Sequence, residues 1–179
     1  MNQAGIDAIQ QAWIVGHATG RCLHVGCGAK RIEGAVNLDP NPDRAEFADV
    51  THDVHELPAE WTAVFDSVVS NHVLQSLRDP VQAMREMARV LKPGGTMAHV
   101  VPDHRFAPLR LDKRHPYNYC YNEWRGPEAF RPVMEQLPGL LLLKLENFEE
   151  FEWSFKVVAM RVDGMSLEEW RHGTEVMEL

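Results

Sequence analysis

The sequence predicts an α/β domain built on an open parallel β-sheet, and three observations support this prediction. A short strand over residues 22–25, predicted to be buried, runs directly into a turn that holds two glycines. A further predicted strand, over residues 64–70 (VFDSVVS), is rich in β-branched and aromatic residues and is short enough to be a buried parallel strand. A helix with clear start and stop signals then leads into a further strand over residues 96–101. Short, continuously apolar strands that alternate with helices are typical of parallel sheets covered on both faces.

The segment that carries the first evidence for a binding site is 22–39, CLHVGCGAKRIEGAVNLD. Gly26 and Gly28 follow the first strand, and glycine permits both a sharp turn and the close approach of a ligand to the backbone. Asp39 ends the next strand, where its carboxylate can accept hydrogen bonds from the two hydroxyls of a ribose. A dinucleotide site needs a third glycine where Arg31 stands, and its acid follows about 20 residues further on. A ligand without phosphates therefore fits better.

The connection that follows this turn is short. Only six residues separate Gly28 from Ala35, the first residue of a predicted second strand over 35–38. A crossover between parallel strands normally takes about a dozen residues or more, usually as a helix. If the two strands are parallel neighbours, we therefore expect a reduced first crossover helix.

Length, composition and charge bound the possible functions. The chain has 179 residues, of which 45% are hydrophobic and 25% charged, and these values suit a single domain over 1–179 with a full core. The net charge of −8 argues against general nucleic-acid binding, which needs a basic surface. Three cysteines form neither an even disulfide set nor a C-x-x-C metal pair, which favours a reducing compartment. With no leader-like start and no apolar run of membrane length, the sequence predicts a cytoplasmic protein without a membrane partner.

Two helices are predicted with named buried faces. The N-terminal helix, over residues 4–14 in the segment 1–20, places Ile6, Ile9 and Trp13 at helical spacing. The central helix begins at Asp79 as N-cap and Pro80 as first residue. Its predicted buried face consists of apolar residues at helical spacing, Val81, Met84, Ala88 and Leu91.

Further elements are predicted from turn signals and β-propensity. A third strand is expected over 48–52, which would place Asp53 at the same sheet edge as Gly26 and Asp39. A helix broken or shortened by Pro132 precedes the later strands. These are strands over 140–145 and 153–162, followed by an appendage over 164–179.

The order of these segments resembles a class I S-adenosylmethionine-dependent methyltransferase of the small-molecule branch. The resemblance covers roughly residues 21–105 and rests on VGCG, NLD, HDVHELP, FDSVVSNHVL and REMARVLKPGGTMAHVVPD. One subgroup of that family shares the shortened connection between VGCG and NLD. The resemblance implies a Rossmann-like, seven-stranded, mostly parallel sheet with helices on both faces and an antiparallel last strand, over a core of residues 21–163.

The resemblance also implies a cofactor, S-adenosyl-L-methionine, and its product, S-adenosyl-L-homocysteine. The residues implied at the cofactor site come from the ends of four strands: Val25, Gly26, Cys27, Gly28, Leu38, Asp39, Asp53, Val54, Ser70, Asn71 and His72. The glycine turn would lie against the methionine and ribose, Asp39 would bind the ribose hydroxyls, and Asp53 would meet the adenine. The alternative for Asp53 is a loop aspartate that caps a turn. Residues 70–72 would face the methionine and the reactive methyl.

Methyl transfer from a sulfonium needs little beyond the alignment of the nucleophile, and a base only where the acceptor must lose a proton. His72 and His104 follow the fourth and fifth predicted strands and are the candidate bases. The alternative for each is a structural or rim histidine. A metal site is not expected, because His52 and His55 lack a third ligand in a suitable setting.

The segment 103–125 is a candidate lid over the acceptor. It holds all three tyrosines of the chain, Tyr117, Tyr119 and Tyr121. Its basic residues outnumber its acidic ones and are Arg105, Arg110, Lys113, Arg114, His115 and Arg125. A basic, aromatic segment in an acidic protein suits an anionic or aromatic small-molecule acceptor. The alternative is a solvated loop whose tyrosines pack on the domain.

Three functions are therefore weighed. The first is a methyltransferase that acts on a small molecule. The second is a non-catalytic, methyltransferase-like binding or assembly protein, because His24, Lys30, Gln75 and Ser76 depart from the family pattern. The third, a nicotinamide-dependent oxidoreductase, is disfavoured by the glycine spacing. A homodimer or a partner subunit could complete the pocket of so short a chain.

Overall fold

A computed structural model describes residues 2–106 and 121–163 of the chain. Its sheet has six strands: β1 (Cys22–Val25), β2 (Val36–Leu38), β3 (Phe65–Asn71), β4 (Leu91–Pro102), β5 (Leu140–Asn147) and β6 (Ser154–Arg161). Their spatial order is β2-β1-β3-β4-β6-β5. Of these six strands, β6 alone runs in the direction opposite to the other five. The mostly parallel sheet with an antiparallel last strand is therefore confirmed.

Helices cover both faces, as predicted. They are α1 (Gln3–His17), α2 (Pro80–Val90) and the short α3 (Arg131–Met134), with 3-10 turns at Pro42–Arg44, Ala59–Trp61, Leu74–Ser76 and Pro127–Phe130. α1 joins the apolar cluster on one face of the sheet, while α2 joins the larger cluster on the other. No helix within 2–106 or 121–163 is long and apolar enough to cross a membrane.

The predicted third strand over 48–52 is wrong. The structure has one isolated parallel bridge there, between Leu38 and Val50. The amides of Asp49 and Val50 both bond to the carbonyl of Asn37, at 2.7 and 3.1 Å. Because β2 is only three residues long, it offers no further ladder positions for a neighbour. This difference accounts for six strands in place of the seven expected.

The first crossover helix is absent between β1 and β2, and a polar network centred on Asn37 takes its place. The fully buried Asn37 accepts hydrogen bonds through Oδ1 from His24 Nδ1 and from the Ile32 amide, at 3.0 and 2.9 Å. Its Nδ2 donates to the carbonyls of Ile32 and Ala35 and to Asp49 Oδ2, each at 3.0 Å. One amide side chain thus satisfies backbone groups that a helix would otherwise satisfy internally.

The buried faces of both helices differ in detail from the prediction. In α1 the buried residues are Ile6, Gln10 and Ile14, so the face includes a polar residue at a spacing of four. In α2 the buried residues are Ala83, Met84, Met87 and Val90. Val81 and Ala88 are only partly buried, and Leu91 already belongs to β4. The helix starts as predicted, because the Asp79 side chain accepts a hydrogen bond from the Gln82 amide at 2.9 Å.

Of the later strands, β5 extends two residues beyond the prediction and β6 is one residue shorter at each end. β5 and β6 replace the expected 140–145 and 153–162, and the helix near Pro132 is reduced to a 3-10 turn followed by α3. Residues 107–120 of the predicted lid and the predicted appendage over 164–179 lie outside the described residues.

Replacing Gly26 with alanine should destabilise the fold by about 2 kcal/mol or more. Gly26 has φ +65°, and a Cβ there would lie 2.3 Å from Val73 Cγ2. A left-handed conformation alone costs an L-residue about 1–2 kcal/mol, and the branched Val73 side chain has little freedom to move away. Chemical denaturation measures the loss. Gly34→Ala is the matched control, since Gly34 has φ +78° with no atom within 4 Å of the added Cβ; equal losses in both variants would refute the clash.

Candidate active site

The glycine turn and the end of β2 are fastened together at the carboxyl edge of the sheet. The amides of Gly26 and Cys27 donate to the carbonyl of Leu38, at 2.7 and 3.1 Å. β1 and β2 are parallel neighbours, so their carboxyl ends meet at this edge. The turn is thereby placed beside Asp39, the residue that follows β2.

Asp39 is the charged group best placed for a ligand at this edge. Its Oδ2 accepts a hydrogen bond from the Gly28 amide at 2.8 Å, and its Oδ1 accepts one from the Asn41 amide at 2.9 Å. The side chain is mostly buried, at 7% exposure. Since a carboxylate has about four lone-pair sites, each oxygen can accept one more hydrogen bond. Two neighbouring hydroxyls of a ribose match that capacity.

Space for a ligand adjoins this carboxylate. Gly28 has φ +53°, and a Cβ built on it would meet no atom within 4 Å. The chain therefore presents bare backbone next to Asp39, which allows a ligand to approach closely.

The other predicted residues of this turn have buried side chains. Val25 and Leu38 belong to the core, at 1% and 0% exposure. The Cys27 thiol lies 3.8 Å from the Phe47 carbonyl oxygen. Burial, with the negative charge of Asp39 second, raises the pKa of the Cys27 thiol to about 11, so it is protonated at neutral pH. Because their side chains are buried, these three residues can contact a ligand through their backbone atoms, or can support from the core side the backbone that does.

Asp53 forms a local turn, as its alternative interpretation expects. Its Oδ1 accepts hydrogen bonds from the amide and the Nδ1 of His55, at 2.9 and 2.6 Å. Burial raises the pKa of Asp53, but the hydrogen bonds from His55 outweigh it and the pKa is lowered. Among the described residues, its other carboxylate oxygen has no hydrogen-bond partner. The neighbouring Val54 is buried, at 4% exposure.

The end of β3 divides its polar side chains between the two faces of the sheet. The Ser70 hydroxyl is buried and lies 2.8 Å from Nδ1 of His99 on β4. Asn71 is partly exposed, yet its Oδ1 is buried with no hydrogen-bond partner among the described residues. His72 follows in a left-handed conformation, with φ +56°. The three residues predicted to face the methionine thus point in different directions.

The His72 ring is enclosed by two other elements. Its Nε2 lies 3.3 Å from Nε2 of Gln10 in α1 and 3.0 Å from Oγ of Ser154 in β6. Burial lowers the pKa of His72 to about 4, so the ring is neutral near pH 7. A ring nitrogen that already accepts hydrogen bonds is poorly placed to accept a proton from an acceptor molecule.

The second candidate base, His104, lies just beyond β4. Its amide donates to the Trp124 carbonyl at 2.9 Å, and burial is the main cause that lowers its pKa. Beside it, the fully buried Asp103 pairs with Arg105, with 2.6 Å between Oδ2 and Nη2. This ion pair fixes the path of the chain where the predicted lid segment begins.

We expect the rings of His72 and His99 to remain neutral from about pH 8 to about pH 5. Burial lowers the pKa of His99 to about 3 and that of His72 to about 4. Both folded values lie below the unfolded value of about 6.5. Their contribution to stability is therefore complete above about pH 6.5 and is lost as the pH falls towards about 4 and then about 3. An NMR titration of the ring protons checks this, and a ring that titrates near 6.5 in the folded protein would refute the burial argument.

The structure also contains a cavity outside this site. A cavity of about 260 Å³ lies at the opposite, amino edge of the sheet, between the end of α2 and the start of β5. Arg89 and Arg161 line it, but they are paired with Glu86 and Asp163. In the part of the chain that the structure describes, no three His, Cys, Asp or Glu side chains come together as a metal site.

Sequence reasoning missed three side chains around His72 and Ser70. Gln10 could have been found, because it stands midway between Ile6 and Ile14 on the buried face of α1. No local signal points to Ser154 or His99, since their roles depend on which strands become neighbours. β6 lies beside β4, which brings Ser154 to the edge although it is far along the chain from His72.

Known proteins with a similar sequence or structure include methyltransferases. Residues 23–99 match the family model for a methyltransferase domain. An uncharacterized 37.1 kDa protein in transposon TN4556 of Streptomyces fradiae is 33% identical over 85 residues, which are 48% of this chain and 24% of that protein. The chain thus spans about a quarter of the length of this relative.

Solved structures share the fold at low sequence identity. A Thermotoga maritima S-adenosylmethionine-dependent methyltransferase, described as a possible histamine N-methyltransferase, has a TM-score of 0.64 at 17% identity over 87% of this chain and 88% of that one. A chain from the Haloferax volcanii complex of the Trm112 methyltransferase activator with a methyltransferase has a TM-score of 0.63 at 16% identity, over 91% and 94% of the two chains. Residues 23–99 are therefore similar to a methyltransferase domain, and the sheet shares the fold of solved S-adenosyl-L-methionine-dependent methyltransferases.

Proposed function

We propose that the chain transfers a methyl group from S-adenosyl-L-methionine to a small-molecule acceptor. The observation that carries this proposal is the arrangement of Asp39 and Gly28, a mostly buried carboxylate held by a backbone amide at 2.8 Å beside open space. S-adenosyl-L-methionine has a ribose with two free hydroxyls and no phosphates, which is the ligand that this arrangement fits. The same cofactor is implied by the family.

Different residues at this edge would contact different parts of the ligand. Asp39 would accept hydrogen bonds from the ribose hydroxyls, and the bare backbone of Gly28 would pass beneath the ligand. The free oxygen of Asp53 and the buried Val54 would meet the adenine. Asn71 and His72 would face the amino-acid end, where the buried, unpaired Asn71 Oδ1 could accept a hydrogen bond from an ammonium group.

The cofactor supplies a methyl group already activated by its bond to a sulfonium, so the protein has mainly to align the nucleophile with it. His72 is a poor base, because its Nε2 is occupied and burial lowers its pKa to about 4. An acceptor whose nucleophile needs no deprotonation at the moment of attack, such as an uncharged nitrogen, would not depend on His72 as a base; for other acceptors His104 is the remaining candidate.

The segment 103–125 supports an anionic or aromatic acceptor through its basic and aromatic composition. Replacing Arg110 and Arg114 together with alanine should leave cofactor affinity unchanged and raise the KM for the acceptor about tenfold or more, as the loss of charge-assisted hydrogen bonds predicts. Steady-state kinetics with the identified acceptor measure this. Unchanged acceptor kinetics would eliminate the lid.

A second candidate function is favoured by the enclosure of His72 and by the departures at Gln75 and Ser76. The chain would then bind the cofactor without catalysis, as an assembly or regulatory protein with a partner subunit or a second copy. A methyltransferase of this fold in complex with an activator protein makes a partner subunit a reasonable proposal.

Transfer of a labelled methyl group distinguishes the two functions. The chain is incubated with methyl-labelled S-adenosyl-L-methionine and pools of small molecules fractionated by charge and aromaticity. Label that appears in a small-molecule product and is lost in the Asp39→Ala variant supports the enzyme. Cofactor binding without transfer to any pool, including after addition of cell extract, would favour the binding protein.

A further inference from the structure

Three side chains from distant parts of the chain form a closed triangle at the carboxyl end of β3. Gln10 Nε2 lies 2.9 Å from Ser154 Oγ and 3.3 Å from His72 Nε2, and Ser154 Oγ lies 3.0 Å from the same ring nitrogen. Gln10 and Ser154 are 2% and 0% exposed. Because water is largely excluded from these two side chains, they have to satisfy one another within the triangle.

The hydrogen-bond capacities of the three groups favour one arrangement, because a hydrogen on His72 Nε2, donated to Ser154 Oγ, would leave the 3.3 Å contact with Gln10 Nε2 as donor against donor. An amide nitrogen has two hydrogens and no acceptor site, so Gln10 Nε2 can only donate. It therefore donates to both Ser154 Oγ and His72 Nε2. Ser154 in turn directs its own hydrogen to His72 Nε2. That nitrogen must carry a lone pair, so the neutral ring carries its proton on Nδ1.

The backbone of His72 holds the ring in this position. The residue has φ +56°, a left-handed conformation that is uncommon outside glycine, although histidine, like asparagine and aspartate, adopts it more often than other residues do. The amide donates to the Val100 carbonyl at 2.9 Å, and the carbonyl accepts from Gln75 Nε2. Strained residues that are fixed from several sides cluster at functional sites.

α1 also contacts the segment after the glycine turn. Asp7 Oδ2 lies 3.9 Å from Lys30 Nζ, and both charges act on the His72 ring. The ring is thus placed between α1 and the glycine turn, at the edge assigned above to the amino-acid end of the cofactor.

We propose that Gln10 is a positioning residue that fixes the Nδ1–H tautomer of His72, and so makes this ring a hydrogen-bond donor to the amino-acid end of the cofactor. The ligand half of this inference rests on the proposed function, whereas the tautomer half does not. Gln10 never touches the ligand in this account. It acts by disfavouring the Nε2–H tautomer of His72, whose ring does contact the ligand.

The tautomer is tested on the ligand-free protein by long-range ¹H–¹⁵N NMR of the imidazole. We expect the wild type to show Nδ1–H at His72. In Gln10→Leu, whose leucine continues the apolar face between Ile6 and Ile14, the Ser154 hydroxyl can rotate, and a mixture of both tautomers is expected. A wild-type ring protonated on Nε2, or an unchanged ring in Gln10→Leu, would overturn the assignment.

The ligand half is tested by binding of S-adenosyl-L-homocysteine. Gln10→Leu should weaken it in proportion to the fraction of rings that leave the Nδ1–H tautomer, about twofold for an equal mixture and about tenfold if one ring in ten keeps it. Gln11→Leu, a matched change at the next position of the helix, should not. 5′-Methylthioadenosine, which lacks the amino-acid end, should bind the wild type and Gln10→Leu equally. An equal loss for both ligands would overturn the assignment to the amino-acid end.

A double-mutant cycle distinguishes positioning from a purely structural role. Asparagine tolerates the left-handed conformation of position 72 and offers an amide donor without tautomers. In the His72→Asn background, Gln10→Leu should therefore have no further effect on affinity, and a persisting loss would refute the mechanism. A wild type that binds no S-adenosyl-L-homocysteine would overturn the proposed function and the ligand half together, while the NMR result would still decide the tautomer half.

Discussion

Replacing Asp39 with alanine should weaken binding of S-adenosyl-L-homocysteine about 100-fold. The change removes the proposed acceptor of both ribose hydroxyls, and each hydrogen bond to a charged group is worth about 1.5–3 kcal/mol. A loss of about 3 kcal/mol corresponds to roughly 100-fold in affinity. Isothermal titration calorimetry measures the effect. The loss should appear in affinity even when methyl transfer cannot yet be assayed.

The control for this prediction separates binding from folding. Asp39 also holds the amides of Gly28 and Asn41, so part of the loss could come from a disturbed turn. Thermal unfolding of the variant shows how large that part is. Asp43→Ala removes an exposed carboxylate of the next turn and should leave affinity unchanged. Equal affinity in Asp39→Ala and the wild type would exclude the ribose role.

Replacing Asn37 with alanine should destabilise the fold by about 3 kcal/mol or more. The Asn37 side chain forms five hydrogen bonds with four residues of the short β1–β2 connection and its surroundings. Alanine leaves the buried His24 ring and the amide of Ile32 without this partner. A buried polar group left unsatisfied costs about 1–3 kcal/mol. The free energy of unfolding, from urea titration, gives the loss.

Asn147→Ala is the matched control for Asn37→Ala. Asn147 ends β5, and its buried Oδ1 has no hydrogen-bond partner among the described residues. Its replacement should therefore change the free energy of unfolding by less than about 1 kcal/mol. If the two variants were equally destabilised, the network around Asn37 could not be what replaces the crossover helix.

The sheet and the glycine turn could be predicted because their signals are local. Residues 22–25 form a short segment that ends at a turn with two glycines, and Asp79 with Pro80 marks the start of α2. Each signal describes a conformation of its own few residues, and each was confirmed in place. The connection between Gly28 and Ala35 is likewise too short for a full crossover helix, and this conclusion does not depend on tertiary contacts.

The predictions were wrong where the local structure depends on contacts with distant parts of the chain. Residues 48–52 have strand-like composition, but β2 is too short to pair with more than Val50. Gln10 is polar, so a hydrophobic pattern passes over it, although α1 buries it against Ser154. The division of Ser70 and His72 between opposite faces also depends on contacts with β4 and α1 that no local pattern encodes.

Calorimetric titration of the wild-type chain with S-adenosyl-L-homocysteine tests the central claim most directly. The account predicts a dissociation constant in the micromolar range and no binding of NADH under the same conditions, because the turn at Gly26 and Gly28 lacks the third glycine of a pyrophosphate site. Failure to bind at millimolar S-adenosyl-L-homocysteine, by a chain shown to be folded, would contradict it.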